Sequence, residues 1–183
     1  MTTFQVGYFV GSLSQNSINR TLSKALVRLA PEDLAFTEIR IDNLPLYSPD
    51  YDTNYPPEAV VLKEAIARAQ AVLFVTPEYN RSMPGVLKNA LDHASRPYGD
   101  SAWAEKPAGV LGVSVGAQGT AMAQQHLRNV LAYLDMPTMG QPEAFIHYTD
   151  GSLNEDGTAG EKLAPFLGKW LAAYLKWVER HSG

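Results

Sequence analysis

Apolar positions along the chain follow two periods. Uninterrupted or nearly uninterrupted apolar runs at Phe4–Val10, Leu34–Ile41, Ala71–Thr76 and Gly109–Val115, with a shorter candidate at Ala144–His147, have the length and β-branched content of buried strands. Between them, apolar residues recur every three or four positions. Ile18, Leu22, Ala25, Leu26 and Leu29 share one helical face, Leu62, Ala65, Ile66 and Ala69 a second, and Val86, Leu87, Ala90, Leu91 and Ala94 a third. The clearest helix is the last, where Leu163, Phe166, Leu167, Trp170, Leu171, Tyr174, Leu175 and Val178 keep the spacing over four turns and predict cover for a sheet face. Strands that alternate with crossover helices, and that are apolar on both sides, belong in a parallel sheet with helices on both faces. The pattern predicts an α/β domain with a doubly wound five-stranded parallel sheet, order 2-1-3-4-5.

Composition narrows the function. The 183 residues fit one domain, residues 1–183, and 45% apolar with 19% charged residues is ordinary for a folded domain with a full core. A net charge of -4 gives no electrostatic footprint for nucleic acid or an anionic membrane surface, and no stretch has the apolar length that spans a bilayer. The start, Met1-Thr2-Thr3-Phe4, enters the first strand without a basic region, a signal-length apolar run or a cleavage site, so a cytoplasmic protein is expected. Cysteine is absent, which removes disulfides, iron–sulfur ligation, cysteine zinc sites and thiol redox chemistry. Electron transfer, if any, must run through a bound cofactor. His93, His126, His147 and His181 show no metal-ligand spacing, and no metal is expected. Two connections are long and polar: Thr149–Gly160, rich in turn residues, and Asp42–Pro57, whose Tyr47, Tyr51 and Tyr55 either pack on one another or meet a ligand or partner.

Three turns at strand ends carry the candidate chemistry. After the first strand, Gly11 opens Gly-Ser-Leu-Ser-Gln-Asn-Ser-Ile-Asn, in which Ser12, Ser14, Ser17 and Asn19 surround the start of a helix. Free backbone N–H groups, hydroxyls and the positive end of a helix dipole converge there on a site for phosphate. The plainer reading is a helix N-cap by Asn16 or Ser17. The turn is neither a Walker loop, lacking Gly-Lys-Ser/Thr, nor a Gly-x-Gly-x-x-Gly dinucleotide fingerprint. After the third strand, Pro77, Glu78, Tyr79, Asn80 and Arg81 lie between Pro77 and Pro84, which stiffen the loop. In the proposed order this turn neighbours the first across the switch point, where α/β sheets bind ligands, and its amides and Tyr79 ring suit a flat heterocycle.

The third turn follows the fourth strand and offers Ser114 and Gly116. Gly112-Val113-Ser114-Val115-Gly116 also matches a nucleophile elbow, and Asp135 and His147 follow in the Ser, Asp, His order of an α/β-hydrolase. No His-Gly-Gly-Gly-type oxyanion segment precedes it, and that reading leaves the first turn without a purpose.

Together, Gly-Ser-x-x-x-x-Ser-x-Asn, Pro-Glu-Tyr-Asn with Pro-Gly-x-Leu-Lys-Asn-x-x-Asp, and Ser-x-Gly-x-x-Gly at three strand ends resemble the NADPH-dependent FMN reductase family, flavodoxin-like flavoproteins that include quinone, chromate and azo-dye reductases. The resemblance implies that Gly11, Ser12, Ser14, Ser17 and Asn19 hold an FMN phosphate. It further implies that Pro77, Glu78, Tyr79, Asn80 and Arg81 run along the isoalloxazine and ribityl, and that Ser114 and Gly116 approach the ring. Many members carry arginine where this chain has Ser14, and Arg20 is the nearby candidate to compensate. The implied activity is ping-pong hydride transfer from NADPH or NADH through FMN to a quinone, flavin or similar small-molecule acceptor, with no catalytic side chain required. A flavodoxin-type electron carrier is the alternative. The family also implies a homodimer or homotetramer, with Arg128 and Glu143 set like a pair proposed to join dimers.

Overall fold

Five strands form one parallel sheet in the order β2-β1-β3-β4-β5, built from β1 (Phe4–Val10), β2 (Leu34–Glu38), β3 (Ala71–Val75), β4 (Ala108–Ser114) and β5 (Phe145–His147). The computed structural model describes residues 3–182. Five helices connect and flank the strands: α1 (Ile18–Leu29), α2 (Pro57–Arg68), α3 (Gly85–Ala94), α4 (Ala121–Tyr133) and α5 (Leu163–His181). The expected flavodoxin-like, doubly wound sheet with helices on both faces is therefore present. Consecutive residues of β3 point to opposite faces, as the two-residue strand period requires, and so feed two separate cores. Leu73 and Val75 pack with Leu22 and Leu26 of α1 and with Trp170, Leu171 and Tyr174 of α5. Val72 and Phe74 pack with Leu62 of α2, Leu87 of α3 and Leu127 of α4.

The periodicity places four of the helices and passes over α4. Its buried stripe is Ala123, Gln124, Leu127 and Leu131, in which a glutamine and an alanine dilute the apolar signal. Gln124 is tolerated inside because its amide donates to Thr120 Oγ1 at 2.8 Å and to the Ala144 carbonyl at 2.9 Å. β2 stops at Glu38, three residues short of the apolar run, yet Ile39 and Ile41 remain buried. Ile39 reaches over Gly7, where any Cβ would lie 2.5 Å from its Cδ1.

The long Asp42–Pro57 connection packs on its own rings, around a helix residue. Tyr47, Tyr51 and Tyr55 surround the fully buried His93 of α3 at centroid distances of 5.4, 6.1 and 6.2 Å. A ring nitrogen of His93, Nε2, lies 2.8 Å from the Pro45 carbonyl, and Asn89 both accepts from Tyr47 N–H and donates to Pro45. Burial pushes the Tyr55 hydroxyl up to about 12.

At the carboxyl end of the sheet, β3 and β4 approach so closely at Gly112 that a Cβ there would sit 2.0 Å from the Thr76 carbonyl oxygen. Only glycine permits that approach. It brings the turns after β1, β3 and β4 to one rim.

Candidate active site

The first turn contains the helix cap that the plainer reading describes. Ser17 caps α1, its Oγ accepting from Arg20 N–H at 3.2 Å, while Ser12 is buried and its Oγ accepts weakly from Ser14 N–H at 3.4 Å. The backbone N–H groups of Gln15, Asn16, Ile18 and Asn19 donate to no acceptor among the described residues. Gln15, Asn16 and Ile18 line one open cavity, of about 470 Å³, and Gln15 with the exposed Ser14 lines a second, of about 570 Å³. Such a fan of donors at a helix N-terminus, without a carboxylate in the first helical turn, fits a phosphate group.

Two polar residues of this turn have other work. Asn19 is buried with its amide engaged on β4: Nδ2 donates to the Val113 carbonyl at 2.8 Å, and Oδ1 accepts from Val113 N–H at 3.0 Å. β3 ends at Val75, and the Asn19 side chain supplies a peptide-like partner for β4 beyond that level. Asn19 thus fixes the start of α1 against the sheet, and its side chain is engaged there. Arg20 borders both cavities while forming an ion pair with Glu38 at 2.7 Å, and Tyr8 donates to the same carboxylate at 3.4 Å. Burial first, and the Glu38 charge second, raise the Tyr8 hydroxyl above its ordinary value. The cation expected to compensate for Ser14 is already paired.

The second turn is a miniature hairpin. Tyr79 and Ser82 exchange both backbone hydrogen bonds at 2.9 and 3.0 Å, and Asn80 and Arg81 both take positive φ, 50° and 65°. This is the type I′ pattern, natural for asparagine and costly for arginine. It projects the Tyr79 ring, 49% exposed, from the rim. The side chain of Glu78, a residue that family resemblance sets along the ring, reaches α4, where its Oε2 accepts from Met122 N–H at 2.9 Å and Ala123 N–H at 3.1 Å. The sequence offers no sign of that contact because its partners lie more than forty residues on. His126 of α4 also reaches this hairpin, its Nδ1 2.9 Å from Ser82 Oγ, a pairing that local sequence does not reveal.

In the third turn Ser114 Oγ accepts from Gly116 N–H at 3.1 Å, and Gly119, at φ 59°, lies against the backbone of Phe145. The hydrolase arrangement is not assembled. Asp135 follows the end of α4, at the rim from which β4 begins, where its carbonyl accepts from Glu105 N–H; Ser114 is at the opposite rim. His147 is opposite Ser114 in the strand register but makes no hydrogen bond with it. Arg128 donates to the Met139 carbonyl of its own chain at 2.8 Å, and burial lowers its guanidinium while the Glu143 charge opposes that shift. A cavity of about 1060 Å³ lies elsewhere, beside Phe145, Ile146 and His147 of β5 and Leu163 and Phe166 of α5.

The carboxyl end of the sheet thus carries amide and hydroxyl donors after β1, an exposed aromatic hairpin after β3 and a glycine-containing turn after β4. Among known proteins, the family of NADPH-dependent FMN reductases matches residues 4–151 of this chain. A 2-hydroxy-1,4-benzoquinone reductase from Burkholderia sp is 49% identical over 175 residues, covering 95% of this chain and 96% of that protein. An NAD(P)H-dependent FMN reductase of Pseudomonas aeruginosa is 39% identical over 175 residues, covering 94% of each. The solved structure of FerB, a flavoenzyme NAD(P)H:(acceptor) oxidoreductase from Paracoccus denitrificans, superposes with a TM-score of 0.94 at 42% identity, over 98% of this chain and 99% of that one.

Proposed function

The chain belongs to the NADPH-dependent FMN reductase family, and from that premise we propose that it is an FMN-dependent NAD(P)H oxidoreductase acting on quinones and similar small acceptors. The observation that carries the assignment to this cleft is the set of unpartnered amides at the start of α1, on the same rim as the exposed Tyr79 hairpin. The FMN phosphate is held by Ser12, Ser14 and the backbone N–H groups of Gln15, Asn16, Ile18 and Asn19, with Gly11 and Ser17 shaping the turn. Gly11 leaves room for the neighbouring strand end, since a Cβ there would meet Pro77 and Thr76 at 3.3 Å. The hairpin from Pro77 through Asn80 and Arg81 forms one wall for the flat ring, and Ser114 with Gly116 forms the other.

Bound FMN supplies the capacity to take a hydride from NAD(P)H and pass it to the acceptor. The protein's own groups orient and polarise. Ring-facing backbone N–H groups in the Tyr79–Arg81 and Ser114–Gly119 turns stabilise negative charge without reorganising. The open rim around Tyr79 leaves space for a planar donor and then a planar acceptor in turn. Relatives described as quinone reductases favour a small-molecule acceptor, and no helix among the described residues is long and apolar enough to cross a membrane. A homodimer or homotetramer in the cytoplasm, where NAD(P)H is available, completes the proposal. The test is direct: purified protein mixed with FMN should show a perturbed flavin spectrum that bleaches anaerobically with NADPH and recovers on addition of a benzoquinone. Absence of FMN binding would overturn the redox assignment, and binding without bleaching by either NADPH or NADH would leave the electron-carrier reading.

A further inference from the structure

The β3–α3 and β4–α4 turns form opposite walls of the cleft, and one side chain joins them. The first-turn N–H groups of a helix need acceptors, ordinarily supplied by the residue just before it. Thr120 precedes α4 and makes no side-chain cap. Glu78 serves instead, accepting from Met122 and Ala123 at 2.9 and 3.1 Å across 44 and 45 residues of sequence. Its side chain is only 9% exposed, and its other oxygen lies 3.5 Å from the Arg81 guanidinium. The carboxylate therefore sits between the positive end of α4 and a cation on the hairpin tip.

We propose that Glu78 is a positioning residue that sets the separation of the two walls and, through its charge, tunes the electron affinity of the cofactor. The proposal rests on the FMN reading above. With Glu78 in place, the partial positive charge of α4 is offset before it can favour the negative charge that the cofactor gains on reduction. Glu78→Gln keeps an oxygen for the α4 amides but leaves the helix end and Arg81 uncompensated, so electron uptake becomes easier. Glu78→Ala removes the tie itself and frees the walls to move apart.

Three measurements on wild type, E78Q and E78A test this. In cofactor-free protein, the Met122 and Ala123 amides should exchange with solvent at least tenfold faster in E78A than in wild type, with E78Q retaining most of the protection. FMN should dissociate from E78A about tenfold more readily at equilibrium, and E78Q should stay within about threefold of wild type. The midpoint potential of FMN-loaded E78Q should rise by a tenfold change in the reduction equilibrium, about 30 mV for a two-electron couple. Unaltered exchange in E78A, or an unshifted potential in E78Q, would overturn the proposal. If E78A does not fold, Glu78→Asp, which withdraws the carboxylate by one methylene, should give the same exchange and affinity changes in weaker form. Failure of wild type to bind FMN would reject the functional reading, while the exchange measurement would still decide whether Glu78 ties the walls.

Discussion

Replacing Asn19 by alanine should expose how the turn proposed to hold the phosphate is fixed to the sheet. The wild-type side chain is 2% exposed and meets both backbone groups of Val113, at 2.8 and 3.0 Å. Truncation leaves a buried N–H and a buried C=O without those partners, and each such loss costs about 1–3 kcal/mol. An expected destabilisation of about 3 kcal/mol is a large part of the roughly 5–15 kcal/mol available to a domain. For a chain of this length it should lower Tm by about 6–12 °C. The assay is urea unfolding of cofactor-free protein, read by tryptophan fluorescence and circular dichroism together, with the midpoint falling at unchanged m-value. Asn19→Asp should do no better than alanine, because it keeps an acceptor for Val113 N–H but sets a carboxylate against the Val113 carbonyl. FMN affinity should fall in both variants, since the same contact holds the start of α1. A loss below about 1 kcal/mol in N19A would refute the reasoning, because burial and paired geometry together require more.

Other consequences can be measured independently. Gly112→Ala would drive its Cβ to 2.0 Å from the Thr76 carbonyl oxygen, so it should cost more than about 4 kcal/mol or yield no folded protein; near-normal expression and melting would contradict the close strand approach. Arg81→Gly should change stability by less than about 1 kcal/mol, because relief of a positive φ of 65° is set against loss of the cation 3.5 Å from the largely buried Glu78 carboxylate; a larger shift in either direction would refute that balance. Tyr55, raised to about 12, and the buried Tyr174, raised well above its ordinary value by desolvation, favour the neutral phenol in the folded state. Their stabilising effect is complete below the unfolded value near 10 and is lost as pH rises towards the folded one. Stability should thus fall above about pH 10, and Tyr55→Phe should flatten that fall between about pH 10 and 12, as followed by urea midpoints; an unchanged slope would refute the assignment.

Much of this protein is legible in one dimension because its elements repeat local rules. Period-two and period-3.6 patterns identify the strands and four helices, and the helix that escapes, α4, does so because Gln124 interrupts its apolar stripe. The three polar turns are visible because each follows a strand end and each contains glycine, proline or serine where backbone geometry demands them. Residue type and spacing were sufficient there. They also suffice to identify the family.

Individual roles within those turns were decided only by the fold. Ser, Asn, Glu and Arg are all credible cofactor ligands by chemistry alone, and sequence does not record which of their polar atoms already have partners. Packing commits Asn19 to Val113, Arg20 to Glu38 and Glu78 to the start of α4. It likewise closes the three tyrosines around His93 and leaves Asp135 at the far rim from Ser114. The sequence alone therefore determined the architecture and the rim at which the chemistry belongs, because periodicity and turn geometry are local. The tertiary structure alone decided which donors stay free, because hydrogen bonds and ion pairs between residues 18 to 94 positions apart remove the others from contention.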